Sequence, residues 1–254
     1  MKLGTISVVI PTYNREKEVV RAIKSVQEQT VSVREIIVID DGSTDNTPSS
    51  VAKLGVRYCR ISHSGLPAVA RNVGMREAKG DYIAFLDSDD TWAPSKLEHQ
   101  LKVLRDTGAA CCATNARRYH HNHLGSVILS NPPQYPIFAD LAKTNWIVAS
   151  SVVAQKSALE QAGGFPENAE YKAYEDWVLW MRLSTLTDLV ILDKPLVTYY
   201  DDPSVSIRSE QLHWSKIARR ARTDIIRWGI SRCITHPDKG RLLRDMYAAA
   251  AYLR

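Results

Sequence analysis

Four short apolar runs alternate with stretches of helical spacing between Ile6 and Leu104, and this alternation restricts the fold more than any other feature. The runs are Ile6–Ile10, Ile36–Ile39, Val56–Ile61 and Tyr82–Leu86, each of strand length and rich in β-branched or aromatic residues. Between them, Val19, Val20, Ile23 and Val26 mark one face of a helix from Arg15 to Gln29. Thr47–Leu54, Pro67–Ala78 and Pro94–Leu104 read as further helices, with Gly80 as a stop after the second of these and Pro94 in the first turn of the last. Strands joined through helices at this spacing run parallel, with right-handed crossovers. The expected class is α/β, with a Rossmann-like, mostly parallel central sheet flanked by helices.

In such sheets ligands bind at the carboxyl ends of the strands. The first run ends in Pro11-Thr-Tyr13-Asn, which should break the strand, and the second in Asp40-Asp41-Gly-Ser. The fourth runs into Asp87-Ser88-Asp89-Asp90. Three carboxylates crowded at one strand end repel one another unless a cation sits among them, and hard oxygen ligands suit Mg²⁺ or Mn²⁺. The same residues also make an ordinary polar turn ahead of a helix, so both readings stand at this point. A Tyr13 ring can stack on a base, and Asp41 can accept from a base N–H or a ribose hydroxyl; Asp-Gly-Ser can equally be a tight turn. Neither Gly-x-Gly-x-x-Gly nor a Gly-Lys-Ser/Thr loop is present, which argues against the familiar dinucleotide dehydrogenases and ATPases. Phosphates bound here would need a metal to neutralise them.

Hydrophobic content of 44% and charged content of 24% are those of a globular protein. The N-terminus enters a strand pattern with no signal-peptide core, and no apolar run approaches the ~20 residues that span a bilayer. Cys59, Cys111, Cys112 and Cys233 have neither disulfide nor zinc spacing, which suits a reducing cytoplasm. Of the +5 net charge, the tail from Pro203 holds more than its share, with 11 Lys/Arg against 4 Asp/Glu. The basicity is local, so no nucleic-acid partner is expected. In that tail, Trp214, Ile217, Ala218, Ala221, Ile225 and Trp228 form one helical apolar side, ringed by arginines. Leu242, Leu243, Met246, Tyr247, Ala250 and Leu253 form a second. These faces either pack on the main domain or make peripheral contact with a membrane surface. His120, His121 and His123 lack a matching carboxylate or cysteine spacing and read as a loop.

The ordered motifs Val8-Val-Ile-Pro-Thr-Tyr-Asn14, Val38-Ile-Asp-Asp-Gly-Ser-Thr-Asp45, Ala70-Arg-Asn-Val-Gly74 and Gly80-Asp-Tyr-Ile-Ala-Phe-Leu-Asp-Ser-Asp-Asp90 resemble those of glycosyltransferase family 2. Gly163-Gly-Phe165 and Glu175-Asp-Trp-Val-Leu-Trp-Met-Arg182 extend the resemblance over the first 200 or so positions. It implies a GT-A fold over 1–202, with a nucleotide-sugar half to about 108 and an acceptor half beyond, and a helical extension over 203–254. It also implies a nucleotide-sugar donor, UDP-linked, a divalent Mn²⁺ or Mg²⁺ and inversion at the anomeric carbon. On this resemblance Pro11, Tyr13, Asp40, Asp41, Arg71, Asp87 and Ser88 bind the nucleotide, and Asp89 with Asp87 holds the metal. Asp176 is the catalytic base, with Glu175 beside it.

The chemistry is consistent with this. A divalent cation stabilises a departing nucleoside diphosphate, and one carboxylate takes the proton of the attacking hydroxyl. Trp146 and Trp177 are candidates to stack on an acceptor sugar, with core packing as the alternative. Arg208, in the segment after Tyr200, is a candidate to meet the diphosphate. Asp224-Ile-Ile-Arg-Trp228 is similar to a motif of processive synthases but lacks its Gln, so one sugar per encounter is expected. The resemblance implies a carbohydrate acceptor, lipid-linked, in bacterial surface polysaccharide or glycolipid assembly at the inner face of the membrane. A soluble acceptor and a catalytically silent nucleotide-sugar binder are the alternatives.

Overall fold

The computed structural model describes residues 4–120, 123–200, 214–232 and 238–252. The expected alternation is present as β1 (Ile6–Thr12), α1 (Glu16–Gln27), β2 (Glu35–Asp40), α2 (Thr47–Ala52), β3 (Arg57–Arg60), α3 (Pro67–Glu77) and β4 (Tyr82–Phe85). Then come β5 (Thr91–Trp92), α4 (Lys96–Thr107), β6 (Cys111–His120), β7 (His123–Val127), α5 (Phe138–Leu141), β8 (Val153–Gln155) and α6 (Lys156–Gln161). The chain continues through α7 (Glu175–Leu186), β9 (Leu189–Tyr200), α8 (Trp214–Arg232) and α9 (Lys239–Ala251).

Among the described residues the strands form one sheet in the order β3-β2-β1-β4-β8-β6-β9-β5, with β7 on β6. The strands β3, β2, β1 and β4 are mutually parallel, and β8 runs antiparallel between β4 and β6. The order reverses at β1, since β2 and β3 lie to one side of it and β4 to the other. That reversal opens a crevice beyond the carboxyl ends of β1, β2 and β4. Two apolar layers cover the sheet. One contains Val9, Ile37, Ile83 and Phe85, and the other Val8, Val38, Ala84 and α1 residues Val19 and Ile23. Alternate residues of one strand therefore feed opposite faces, both buried, which is why these strands read as unbroken apolar runs.

Pro11 does not end β1. It pairs with Ile39, and the strand continues to Thr12. Thr12 O accepts from Asp41 N on the β2 side, so Pro11 faces the β4 side, where pairing has already stopped at Val9. A proline is tolerated there because no ladder partner needs its missing N–H. The helix expected from Pro94 starts at Lys96 and reaches Thr107, closed by Gly108 with φ 70°. The apolar runs Leu189–Leu192 and Leu196–Tyr200, which by sequence read as two short strands, form one, β9, whose register against β6 shifts around Asn115.

Both tail helices form, and they dock on the main domain. Ile217, Ala218, Ala221 and Ile225 are buried as the spacing implied, and Arg222 donates to Ala142 O at 2.6 Å. The second face differs from expectation: α9 buries Leu242, Asp245 and Ala249, and leaves Leu243, Tyr247 and Ala250 exposed. The stripe is rotated by one position because Gly229 on α8 receives the Met246 side chain and Leu242, setting the α8–α9 approach. The side chains of Trp214 and Leu253, and all of His121, Cys233 and Arg208, lie outside the described residues.

Candidate active site

The crevice at the strand reversal is a cavity of about 380 Å³. Pro11 and Tyr13 from the end of β1, Asp41 from β2, Arg71 from α3, and Asp87, Ser88 and Asp89 from the end of β4 all line it. Seven side chains singled out in the sequence thus meet in one place. Arg15, His63, Gly65 and Lys172 also line it and were not foreseen.

Arg71 is the hub. Its guanidinium donates to Asp87 Oδ1 at 2.6 Å and to Glu175 Oε1 at 2.7 Å, tying the β4 end to the start of α7. Burial alone would lower its pKa, but the charges of Asp87 and Glu175 more than offset this and hold it above the ordinary arginine value. The motif around it is packing-limited. A Cβ on Gly74 would sit 2.3 Å from Val9 Cγ1, so only glycine lets α3 lie this close to β1. Asn72 accepts from Phe165 N at 2.9 Å and donates to Phe165 O at 2.8 Å, while a Cβ on Gly164 (φ 68°) would lie 2.7 Å from Asn72 Oδ1. The Ala70–Gly74 and Gly163–Phe165 motifs are two halves of one joint.

The three-carboxylate cluster expected after β4 is resolved into a pair. Asp90 turns inward and is fully buried, accepting from Ser150 Oγ at 2.5 Å and from Tyr200 N at 3.1 Å. Burial, with Asp89 and Asp87 adding to it, raises its pKa well above the carboxylate range. Asp87 and Asp89 remain at the cavity, Asp89 paired with Arg15 at 3.2 Å and the backbone N–H of Asp87 donating to Ser150 Oγ at 3.0 Å. Burial and the neighbouring Asp87 charge raise the Asp89 pKa, a conflict that a bound cation would relieve. Among the described residues no group of three or more His, Cys, Asp or Glu is arranged to hold a metal by itself. Two carboxylates suffice where a substrate phosphate completes the coordination, as is usual for Mg²⁺.

Asp40 does not reach the cavity. It is fully buried, accepts from Ser43 N and Oγ at 2.8 and 2.6 Å, and takes the Tyr58 hydroxyl. Asp41 lines the cavity, but Ser64 N and Oγ donate to its Oδ1 and Gly65 N to its Oδ2, all within 2.9 Å. Its backbone carbonyl accepts from His63 Nδ1 at 2.8 Å, and that ring stacks on Tyr13 with centroids 4.2 Å apart. Asp41 thereby shapes the loop that backs Tyr13.

Asp176 is 7% exposed at the first turn of α7, directly after the Glu175 that binds Arg71. Asn145 Nδ2 lies 3.3 Å from each of its carboxylate oxygens, and Oδ1 accepts from Trp177 N at 2.7 Å. Trp177 is a core residue: its ring is fully buried and its Nε1–H donates to Leu141 O at 2.6 Å, which removes it as a sugar platform. Trp146 is half-buried against the core. No described helix is long and apolar enough to cross a membrane.

Comparison with known proteins agrees with this geometry. An uncharacterized glycosyltransferase of Rickettsia felis is 36% identical over 198 residues, covering 75% of this chain and 32% of that protein; the chain spans about a third of the length of such relatives. The Escherichia coli UDP-Glc:alpha-D-GlcNAc-diphosphoundecaprenol beta-1,3-glucosyltransferase WfaP is 30% identical over 186 residues, covering 70% of this chain and 69% of that one. The fold is similar to that of S. aureus TarS 1–349 in complex with UDP-GlcNAc, with a TM-score of 0.73 at 19% identity over 95% of this chain and 70% of the other. It is also similar to the mannosyltransferase PcManGT of Pyrobaculum calidifontis in complex with GDP-Man and Mn²⁺, with a TM-score of 0.61 at 19% identity over 98% and 70% of the two chains. The model of glycosyl transferase family 2 matches residues 7–159, across the strand ends that build the cavity, and with its GT-A fold the chain belongs to that family.

Proposed function

We propose that the chain is the catalytic domain of an inverting glycosyltransferase that moves one sugar from a UDP-sugar to a hydroxyl of a lipid-linked carbohydrate. The observation that carries this reading is the meeting of Tyr13, Asp41, Arg71, Asp87 and Asp89 in one cavity, with Asp176 joined to it through the Glu175–Arg71 pair. Tyr13 offers the base its free ring face, and Asp87 and Ser88 offer acceptors to the ribose. Asp89, with Asp87, would hold Mn²⁺ or Mg²⁺; such an ion supplies charge stabilisation to the diphosphate without needing a proton. The choice of UDP and of a lipid-linked acceptor follows the activity named for the Escherichia coli relative. Residues to about 108 form the donor half and 109–202 the acceptor half.

Asp176 accepts the proton of the attacking hydroxyl as the new bond forms, and Asn145 holds its carboxylate in place for that. One base opposite the leaving group gives inversion, as in single-displacement glycosidases. The acceptor brings the enzyme to the membrane. The outer side of α8 and α9 suits that surface, since Ile230, Leu243 and Tyr247 are exposed beside the similarly open Arg227 and Arg244. The test is Asp176→Asn, which should lower transfer roughly 10²–10⁴-fold while leaving UDP binding unchanged. Undiminished transfer would remove Asp176 from the role.

A further inference from the structure

Three cations line the cavity, and two of them are already committed. Arg71 spans Asp87 and Glu175, and Arg15 pairs with Asp89. The third, Lys172, has no carboxylate partner among the described residues. Its place is well defined by the backbone. Lys172 N donates to Ala169 O at 3.1 Å, and Tyr174 N closes over it onto Tyr171 O at 2.7 Å. Tyr171 is buried and its hydroxyl donates to Asp224 on α8. Directly after Lys172, Ala173 takes φ 71°, in the left-handed region that a residue with a Cβ adopts at a cost of ~1 kcal/mol. This turn sets Lys172 on the cavity wall just ahead of the Glu175–Asp176 pair.

We propose that Lys172 is a further catalytic residue, an ammonium that takes the diphosphate of the donor and stabilises the charge that appears there on transfer. The inference rests on the donor reading given above. In the step, the bond between the anomeric carbon and the diphosphate oxygen breaks, and its electron pair leaves with that oxygen. The acceptor oxygen forms the new bond to carbon, and its proton goes to Asp176. The leaving group thus gains one negative charge with no proton delivered to it. Arg15 and Arg71 are each matched by a carboxylate, so their charge is spent before the donor arrives. An uncommitted ammonium on the same wall supplies the difference, and it does so more strongly as the charge develops.

The experiment compares Lys172→Met with the wild-type chain in Mn²⁺, titrating UDP and uridine separately and measuring transfer. Lys172→Met should weaken UDP roughly 10- to 100-fold, the range for a charged hydrogen bond, and leave uridine affinity unchanged. Transfer at saturating donor should fall as well, and Lys172→Arg should restore part of both losses because it keeps the charge. Parallel weakening of UDP and uridine, or undiminished UDP affinity and turnover, would overturn the assignment. A folded wild-type chain that binds no uridine nucleotide would instead overturn the donor reading itself, and is told apart by the wild-type titration alone.

Discussion

Replacing Arg71 by methionine removes the cation that ties the β4 end to α7, and the structure sets how much that costs. Glu175 is 4% exposed, its Oε1 has Arg71 as partner, and its Oε2 already lies buried without one. Loss of the guanidinium leaves this carboxylate charged, desolvated and unpaired, whereas Asp87 at the cavity edge can rehydrate. Breaking a buried pair by removing one partner costs about 3–5 kcal/mol. For a chain of this size each kcal/mol lowers Tm by about 2–4 °C, so Arg71→Met should melt roughly 10 °C below the wild type. Adding Glu175→Gln removes the stranded charge and should recover about half of the loss, about 2 kcal/mol; the coupling is that recovery plus whatever Glu175→Gln costs alone. Urea unfolding followed by circular dichroism on the four members of the cycle measures both quantities. An Arg71→Met variant within 1 kcal/mol of the wild type, or a double variant less stable than Arg71→Met, would refute the hub assignment; both thresholds are set by the roughly 0.5 kcal/mol scatter of such cycles.

Lys96 is fully buried over the Trp92 ring, 3.9 Å from its centroid, and burial brings its pKa down to about 7 from the ordinary 10.5. Between those values the unfolded chain binds the extra proton, so stability should rise with pH across this window and be lowest below pH 7. From pH 7 to 9 the rise attributable to Lys96 is at most about 3 kcal/mol, since Gln100 and the ring both favour the charged form. Lys96→Met should abolish this pH dependence in thermal melts, and an unchanged slope would exclude it. At the tail, vesicles containing anionic lipid should capture the chain, and Leu243→Glu with Tyr247→Glu should reduce capture several-fold, each basic side chain at the surface being worth about 1 kcal/mol. Equal capture by neutral vesicles would contradict the electrostatic part.

The strand ends were legible because two simple regularities coincide there. Buried parallel strands read as unbroken apolar runs, and the topology then brings Tyr13, Asp41, Asp87 and Asp89 to one edge. Direction within a turn follows no period, so the sequence places Asp90 with Asp87 and Asp89 although its side chain points into the core. Asp40 lies away from the cavity for the same reason, its carboxylate held by Ser43 and by Tyr58 on a neighbouring strand. His63, Asn145 and Lys172 sit in loops whose position depends on tertiary contacts, and nothing in their local spacing marks them. In α9 the apolar spacing does not give the buried stripe, because the contact of Met246 and Leu242 with Gly229 turns Asp245 inward and Tyr247 outward.

The most direct test of the donor site is calorimetric titration of UDP into the folded chain, once with Mn²⁺ and once with a chelator. Binding that needs the metal, and that Asp89→Ala abolishes in Mn²⁺ without changing uridine affinity, is the predicted result. A folded chain that binds no UDP in either condition, or binds it equally well in both, would contradict the account.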